Sequence, residues 1–253
     1  MTEEHQRTTS VEHTSLVSLL ISRHTRKVDC QLRIGALNIR SVNNNVDDVL
    51  EVMLTYYLHI LALSETWHEN SESVMIKCMR RLGFKVLEVA MLIPEDIDDN
   101  INFVNHEGLA IVTKPGIIIA KLNMKLNAMT LEFLCCHITV DGASFILVDI
   151  YRPGSVPPSS ALFNEFTGLL EILATFQLPV TITGDLNIHL QKQDDVGAVT
   201  LVNVLSSFNL LKHVSSPTHD SAGLFDVIIA SGDHPPEDVS VDEFRLSDHM
   251  ILS

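Results

Sequence analysis

Short runs rich in Val, Ile and Leu recur along this chain, each closed by polar or turn-forming residues. They predict strands at Arg33–Ile39, His59–Glu65, Phe84–Ala90, Leu109–Lys114, Thr130–Thr139, Ser144–Tyr151, Val180–Asn187, Leu224–Ala230 and Arg245–Leu252. Between some of them the apolar spacing lengthens. Val46, Val49, Leu50, Met53, Leu54 and Tyr57 follow the i, i+3, i+4, i+7 rule of a helix with one apolar face. Leu162, Phe166, Leu169, Leu170 and Leu173 do the same behind Pro157-Pro158-Ser159, a helix-start signal. Asp195–Phe208 predicts a third helix. The Asp141-Gly142 step predicts a hairpin between Thr130–Thr139 and Ser144–Tyr151. Residues 94–102 and 231–236 read as loops, and residues 1–28 as a flexible leader with one short helix near Leu16–Ile21. Antiparallel hairpins mixed with helices favour an α/β layered sandwich over a purely parallel, doubly wound sheet.

Composition narrows this picture only in part. At 253 residues and 46% hydrophobic, the chain has material for a sizeable core. No apolar run approaches the ~18 residues of a membrane span, and the polar N-terminus lacks a convincing secretory signal. The reading is a soluble intracellular protein, nuclear or cytoplasmic, with no membrane partner. Cys30, Cys78, Cys135 and Cys136 show no Cys-x-x-Cys spacing, so neither a zinc site nor a redox motif is indicated and reduced thiols are expected. The net charge of −15 opposes nucleic-acid binding, which normally uses Lys and Arg. Residues 41–253 hold 11 basic against 28 acidic side chains, so the imbalance lies past the leader.

The candidate chemistry sits where the strands end. Asn38, Glu65, Tyr151-Arg152, Asp185 with Asn187, Asp226, and Ser247-Asp248-His249 each close an apolar run. Taken alone, Gly184-Asp185-Leu186-Asn187 is equally well a strand end entering an Asx-turn, and a lone Glu65 or His249 is more often structural. Six such endings change the reading, because ligands in α/β folds gather at strand ends. Glu65 and Asp248 are hard oxygen ligands suited to Mg²⁺. Asp185 can orient or deprotonate a water, with Asn187 holding it in line. A His249–Asp226 pair can keep the imidazole charged and aimed at a phosphoryl oxygen. Tyr151 and Asn38 supply neutral hydrogen bonds. Metal-assisted phosphodiester hydrolysis is the reaction this set serves best.

The blocks LNIRS (37–41), LSETW (63–67), IYRP (150–153), GDLN (184–187), PTHDSAGLFDVII (217–229) and LSDH (246–249) resemble, in order, the endonuclease/exonuclease/phosphatase superfamily, whose fold is DNase I-like. Within it they most resemble the endonuclease domain of non-LTR (LINE-type) retrotransposons, relatives of AP endonucleases. The resemblance implies a four-layer α/β/β/α sandwich of two packed, largely antiparallel sheets over residues 29–253. It implies that Glu65 is the main metal ligand, with Asn38 and Asp248 on the metal side. Asp185 and Asn187 handle the nucleophilic water, Asp226 partners His249, Tyr151 contacts phosphate or positions the site, and Thr218, Ser247 and Arg152 are accessory or phosphate-contacting. It implies Mg²⁺, with Mn²⁺ as a substitute, and a monomer cutting DNA to a 3′-hydroxyl and a 5′-phosphate. AP endonucleases carry an acid two positions after the asparagine, where this chain has Arg40. The chain also stops four residues past His249, as a domain excerpt, a truncated copy or a domesticated remnant would. DNA contact is expected to be weak and non-specific, through Arg40, Arg152 and Arg245. Two other readings stand beside this one: a phosphatase or phosphodiesterase for a small or lipid phosphoester, and a catalytically silent interaction module.

Overall fold

The computed structural model describes residues 31–41, 46–68, 70, 73–90, 108–244 and 247–253. The leader with its helix near Leu16–Ile21, Cys30, the loop at 94–102 and Arg245 lie outside the described residues. Among the described residues, strands form at β1 (Ile34–Asn38), β2 (Ile60–Ser64), β3 (Lys85–Val89), β4 (Leu109–Thr113), β5 (Ile118–Lys121) and β6 (Glu132–Val140). They continue as β7 (Ala143–Tyr151), β8 (Val180–Asp185), β9 (Leu210–Lys212), β10 (Asp226–Ser231), β11 (Val241–Asp242) and β12 (Ile251–Leu252). The helices are α1 (Val46–Thr55), α2 (Val74–Arg81), α3 (Ser160–Ala174) and α4 (Val196–Ser207).

The strands pair into two six-stranded sheets, ordered β11-β12-β1-β2-β4-β3 and β5-β6-β7-β8-β10-β9. Only β1–β2 and β7–β8 run parallel; every other pairing is antiparallel. The two sheets pack face to face between helices, the four-layer sandwich expected from the sequence. Side chains alternate across each pleat. Ile146, Val148, Ile150, Ile182, Val227 and Ile229 share a buried cluster with Leu162, Phe166, Leu169, Leu201 and Leu205 of α3 and α4. Each such side chain contributes roughly 1.5–3 kcal/mol by leaving water. The alternate residues of β7 and β8, Asp149 and Tyr151 with Thr183 and Asp185, therefore point toward the first sheet.

Local chemistry explains most boundaries. Asp141 (φ 50°) and Gly142 (φ 85°) form the two-residue turn between β6 and β7, both central residues having the positive φ that a type I′ hairpin needs. Ser159 caps α3 by accepting the Leu162 N–H, and all five apolar residues assigned to that helix face are buried. Helix α1 ends before Tyr57, which the periodicity placed on the helix. Tyr57 adopts φ 54°, and the Leu58 N–H turns back to the Met53 carbonyl at 2.9 Å, a left-handed C-terminal cap that leaves the ring exposed.

Asp149 is the most anomalous interior residue. It is 1% exposed, and no well-formed side-chain hydrogen bond reaches either oxygen. Burial raises its pKa well above the usual carboxylate range, the Ile150 N–H opposes this only in part, and Glu132 adds to it. A raised folded-state pKa favours the neutral acid, so this group's contribution to stability is full below the unfolded value of about 3.9 and is lost as pH rises toward the folded value. Asp149→Asn is therefore expected to raise the thermal midpoint at pH 8, each kcal/mol of relief appearing as about 2–4 °C. The difference should close as pH falls toward 4, as calorimetry at several pH values would show. An equal shift at every pH would mean that ionisation is not the cause.

Candidate active site

Strand direction assembles the site. The parallel pairs bring the C-terminal ends of β1 and β2 together, with Asn38 opposite Ser64, and the ends of β7 and β8 together, with Tyr151 opposite Asp185. Strand β10 runs antiparallel to β8, so its first residue, Asp226, falls opposite Asp185. One edge of the sandwich thus receives the polar ends of five strands.

Asn38 is the link between the two sheets. Its Nδ2 donates to Glu65 Oε1 at 2.8 Å and to Asp185 Oδ2 at 3.0 Å. Two buried carboxylates therefore face each other across one amide. Its own Oδ1 is buried and has no hydrogen-bond partner, so it is a free oxygen donor beside them. Tyr151 is buried, and desolvation first, then its hydrogen bond to Glu65, raises its pKa; the phenol stays neutral.

Asp185 ends β8, and the chain turns at Asn187 (φ 50°). The expected strand to Asn187 thus stops two residues early. The Asn187 N–H donates to Asp185 Oδ1 at 2.7 Å, which is the Asx-turn reading. The Asn187 amide also donates to Asp185 Oδ2 at 3.1 Å and to the Arg152 carbonyl at 2.8 Å. The turn and the site are the same object.

His249 lies on the opposite side. Its Nδ1 is 2.9 Å from Asp226 Oδ2, and its Nε2 is 3.8 Å from Asp185 Oδ2. Burial alone would lower the imidazole pKa, but the hydrogen bond to Asp226 and the charges of Asp226, Asp185 and Asp248 outweigh it and lift it to about 9. Burial and the charge of Asp226 push Asp185 up to about 7 against the opposing pull of His249, the Asn187 N–H and Asn38. At neutral pH the imidazole is a cation and Asp185 is poised to exchange a proton.

Thr218 and Ser247 hold this arrangement in place. Thr218 Oγ1 accepts the N–H groups of Phe225 and Asp226, both at 3.1 Å, fixing the start of β10. Ser247 Oγ donates to the Asn38 carbonyl at 2.6 Å and accepts the His249 N–H at 3.1 Å. One expectation changes. The Arg152 guanidinium is buried and donates to the carbonyls of Leu186, Pro153, Val156 and Asn187, so it braces the turn rather than offering itself to a phosphate. Asp248 Oδ2 meets Arg40 at 2.8 Å and His219 Nε2 at 3.0 Å, while its Oδ1 is buried without a hydrogen-bond partner. His219 escaped the sequence reading although it sits inside the PTHD block; its ring stands edge-on to that of His249, centroids 4.7 Å apart. His189 is an exposed rim residue against Phe225.

Backbone strain gathers here as well. Arg40, Ser41, Glu65, Trp67 and Asn187 are half of the ten non-glycine residues with positive φ among the described residues. Such conformations cost about 1–3 kcal/mol each and persist where surrounding structure imposes them.

Carboxylate–histidine groups able to hold a metal are Asp185–Asp226–His249 and His219–Asp248–His249. In both, His249 Nδ1 lies 2.9 Å from Asp226 Oδ2, which leaves Nε2 as the ring atom open to a ligand role. Glu65, Asp185 and the unpartnered Asn38 Oδ1 add further oxygen atoms at the same edge.

Residues 35–249 match the model of the Endonuclease/Exonuclease/phosphatase family. No curated protein sequence matches closely. The fold is similar to the endonuclease domain of TRAS1, a telomere-specific non-LTR retrotransposon: TM-score 0.63, 17% identity, 87% of this chain and 95% of that one. It is also similar to the 3′ phosphatase NExo from Neisseria bound to product DNA hairpin: TM-score 0.62, 16% identity, 88% and 98% covered. A mannosyl-6-phosphatase from Bacteroides thetaiotaomicron aligns with TM-score 0.56 at 14% identity, over 88% and 98%. Among the described residues no helix is long and apolar enough to cross a membrane.

Proposed function

This chain belongs to the endonuclease/exonuclease/phosphatase family, and from that premise we propose that it is a metal-dependent phosphodiester hydrolase that nicks DNA, acting as a monomer inside the cell. The observation that carries the reading is the Asn38 amide bridging Glu65 and Asp185, with His249 Nε2 3.8 Å from Asp185 Oδ2.

Glu65 and Asn38 Oδ1 would hold Mg²⁺, or Mn²⁺ in its stead, which when bound would supply a Lewis acid for a phosphoryl oxygen. Asp185, oriented by Asn38 and Asn187, accepts a proton from water as the water oxygen attacks phosphorus. His249, kept cationic by Asp226, donates to a non-bridging oxygen as charge builds there. The bond to the 3′ oxygen breaks, and that oxygen takes a proton from solvent. The net reaction adds one water and leaves a 3′-hydroxyl and a 5′-phosphate. Tyr151 stays neutral and holds Glu65 in place.

The charge of −15 favours a second reading, a phosphatase for a small phosphoester that needs no basic track. Purified protein incubated with supercoiled plasmid and Mg²⁺ separates the two. Nicking that stops with EDTA and falls steeply with salt is the expected result. Intact plasmid with phosphate released from small monoesters would replace it with the second reading. No turnover on either substrate, in folded protein, would make the domain a silent module.

A further inference from the structure

Arg40 is an exposed cation in a strongly acidic chain, and it stands at the edge of the site. Its side chain is 48% exposed, and Nη2 meets Asp248 Oδ2 at 2.8 Å. A guanidinium carries five N–H donors, and Asp248 is its one partner among the described residues. Its backbone is fixed from both sides: the Ile39 N–H donates to the Ser64 carbonyl at 3.1 Å and the Ser41 N–H to the Glu65 carbonyl at 2.8 Å. Arg40 and Ser41 both adopt positive φ, 49° and 104°. The tether is fixed too. His219 Nδ1 accepts the Ser221 N–H at 3.0 Å, so its proton lies on Nε2 and is donated to Asp248 Oδ2 at 3.0 Å. Asp248 is therefore a carboxylate between two donors, one residue before His249 and holding a residue two after Asn38.

We propose that Arg40, held by Asp248 and His219, clamps the phosphate next to the scissile one, so that the site takes a polynucleotide strand rather than an isolated phosphoester. This rests on the phosphodiester hydrolase reading for its register but makes a separate claim. The guanidinium is pre-positioned, which spares the ordering cost that a free side chain would bear on binding, and it offers planar, paired donors to phosphate oxygens.

The test compares the parent with Arg40→Ala and Arg40→Lys in two assays. The first is binding of a short fluorescent single-stranded oligonucleotide in Ca²⁺, read by anisotropy over a salt series. The second is kcat and KM for that oligonucleotide and for bis(p-nitrophenyl) phosphate in Mg²⁺. Arg40→Ala is expected to weaken oligonucleotide binding about tenfold and to lower the slope of log Kd against log salt by about one, as loss of one phosphate contact does. The penalty should fall on KM, and the oligonucleotide-to-diester ratio of kcat/KM should drop about tenfold, with Arg40→Lys in between. Equal binding by parent and Arg40→Ala overturns the clamp, as does an equal loss on both substrates or a parent that binds no oligonucleotide. If binding shows the Arg40-dependent slope while nothing is cleaved, the clamp stands and the hydrolase reading falls.

Discussion

His249→Ala is expected to reduce plasmid nicking by about 10²–10⁴-fold, the range spanned by loss of a positioned acid–base or charge-stabilising group. The geometry makes the loss specific. His249 is the cation facing Asp185, and its Nδ1 is committed to Asp226 at 2.9 Å. Removing the ring also leaves Asp226 buried without its partner, which costs stability on the order of 3–5 kcal/mol. Asp226→Asn separates the two effects. It keeps a side chain of the same shape, whose amide oxygen can still accept from the imidazole, but withdraws the negative charge that helps raise its pKa to about 9. In the parent, activity on the alkaline side should fall as His249 loses its proton near pH 9; in Asp226→Asn that limb should move to lower pH. Stability follows the same sign: the raised pKa stabilises the fold below the unfolded value of about 6.5 and the benefit is lost as pH rises through 9. Asp185→Asn is expected to be as damaging as His249→Ala, and the double variant no worse than either, because the groups act as one unit. An alkaline limb that stays put in Asp226→Asn would remove His249 from the chemistry.

What the sequence made legible, and what it hid, follows the length and burial of each element. Strands β1, β2, β4, β6, β7 and β8 were legible because each is an apolar-rich run bounded by polar or turn-forming residues, and α3 because its whole buried face recurs at helical spacing behind Ser159. Helix α2 was hidden: Met75, Ile76 and Met79 are its buried residues, too few to show a period, although the Ser73 cap and Gly83 were available as end signals. Strand β5 was hidden because it is a mostly exposed edge strand whose Ile run does not alternate. Strands β9 and β11 span three and two residues, below the reach of any periodicity. The site residues were visible as types but not as partners. Nothing in spacing tells that Asn38 donates to carboxylates on both sheets, that Arg152 turns inward, or that Asp248 belongs to Arg40 and His219. Those facts depend on which strand ends meet, which is a property of the pairing order.

Gly184→Ala is expected to abolish folding, although it adds a single methyl group. Gly184 lies within β8 at φ +123°, a conformation side chains rarely adopt, and a Cβ built there would sit 2.0 Å from the Ile150 carbonyl oxygen. The obstacle is backbone, so no rotamer relieves it. The parallel β7–β8 pairing, in which Ile150 stands opposite Gly184 and Tyr151 opposite Asp185, would have to open. Losses above 4–5 kcal/mol are exceptional for point changes and arise from such backbone conflicts, while a domain's whole stability is about 5–15 kcal/mol. Two other glycines calibrate the result. Gly35→Ala meets Leu58 Cδ1 at 2.4 Å, the movable end of a side chain, and should cost about 1–3 kcal/mol. Gly142→Ala meets nothing within 4 Å and suffers only its φ of +85°, so it should cost about 1 kcal/mol. Circular dichroism and urea titration of the three proteins would rank them. If Gly184→Ala folds as stably as Gly142→Ala, the close approach of β8 to β7 is not needed, and neither is the pairing that delivers Asp185 beside Tyr151. Glycine stands before the aspartate because at this φ a Cβ would be driven into the Ile150 carbonyl of the paired strand.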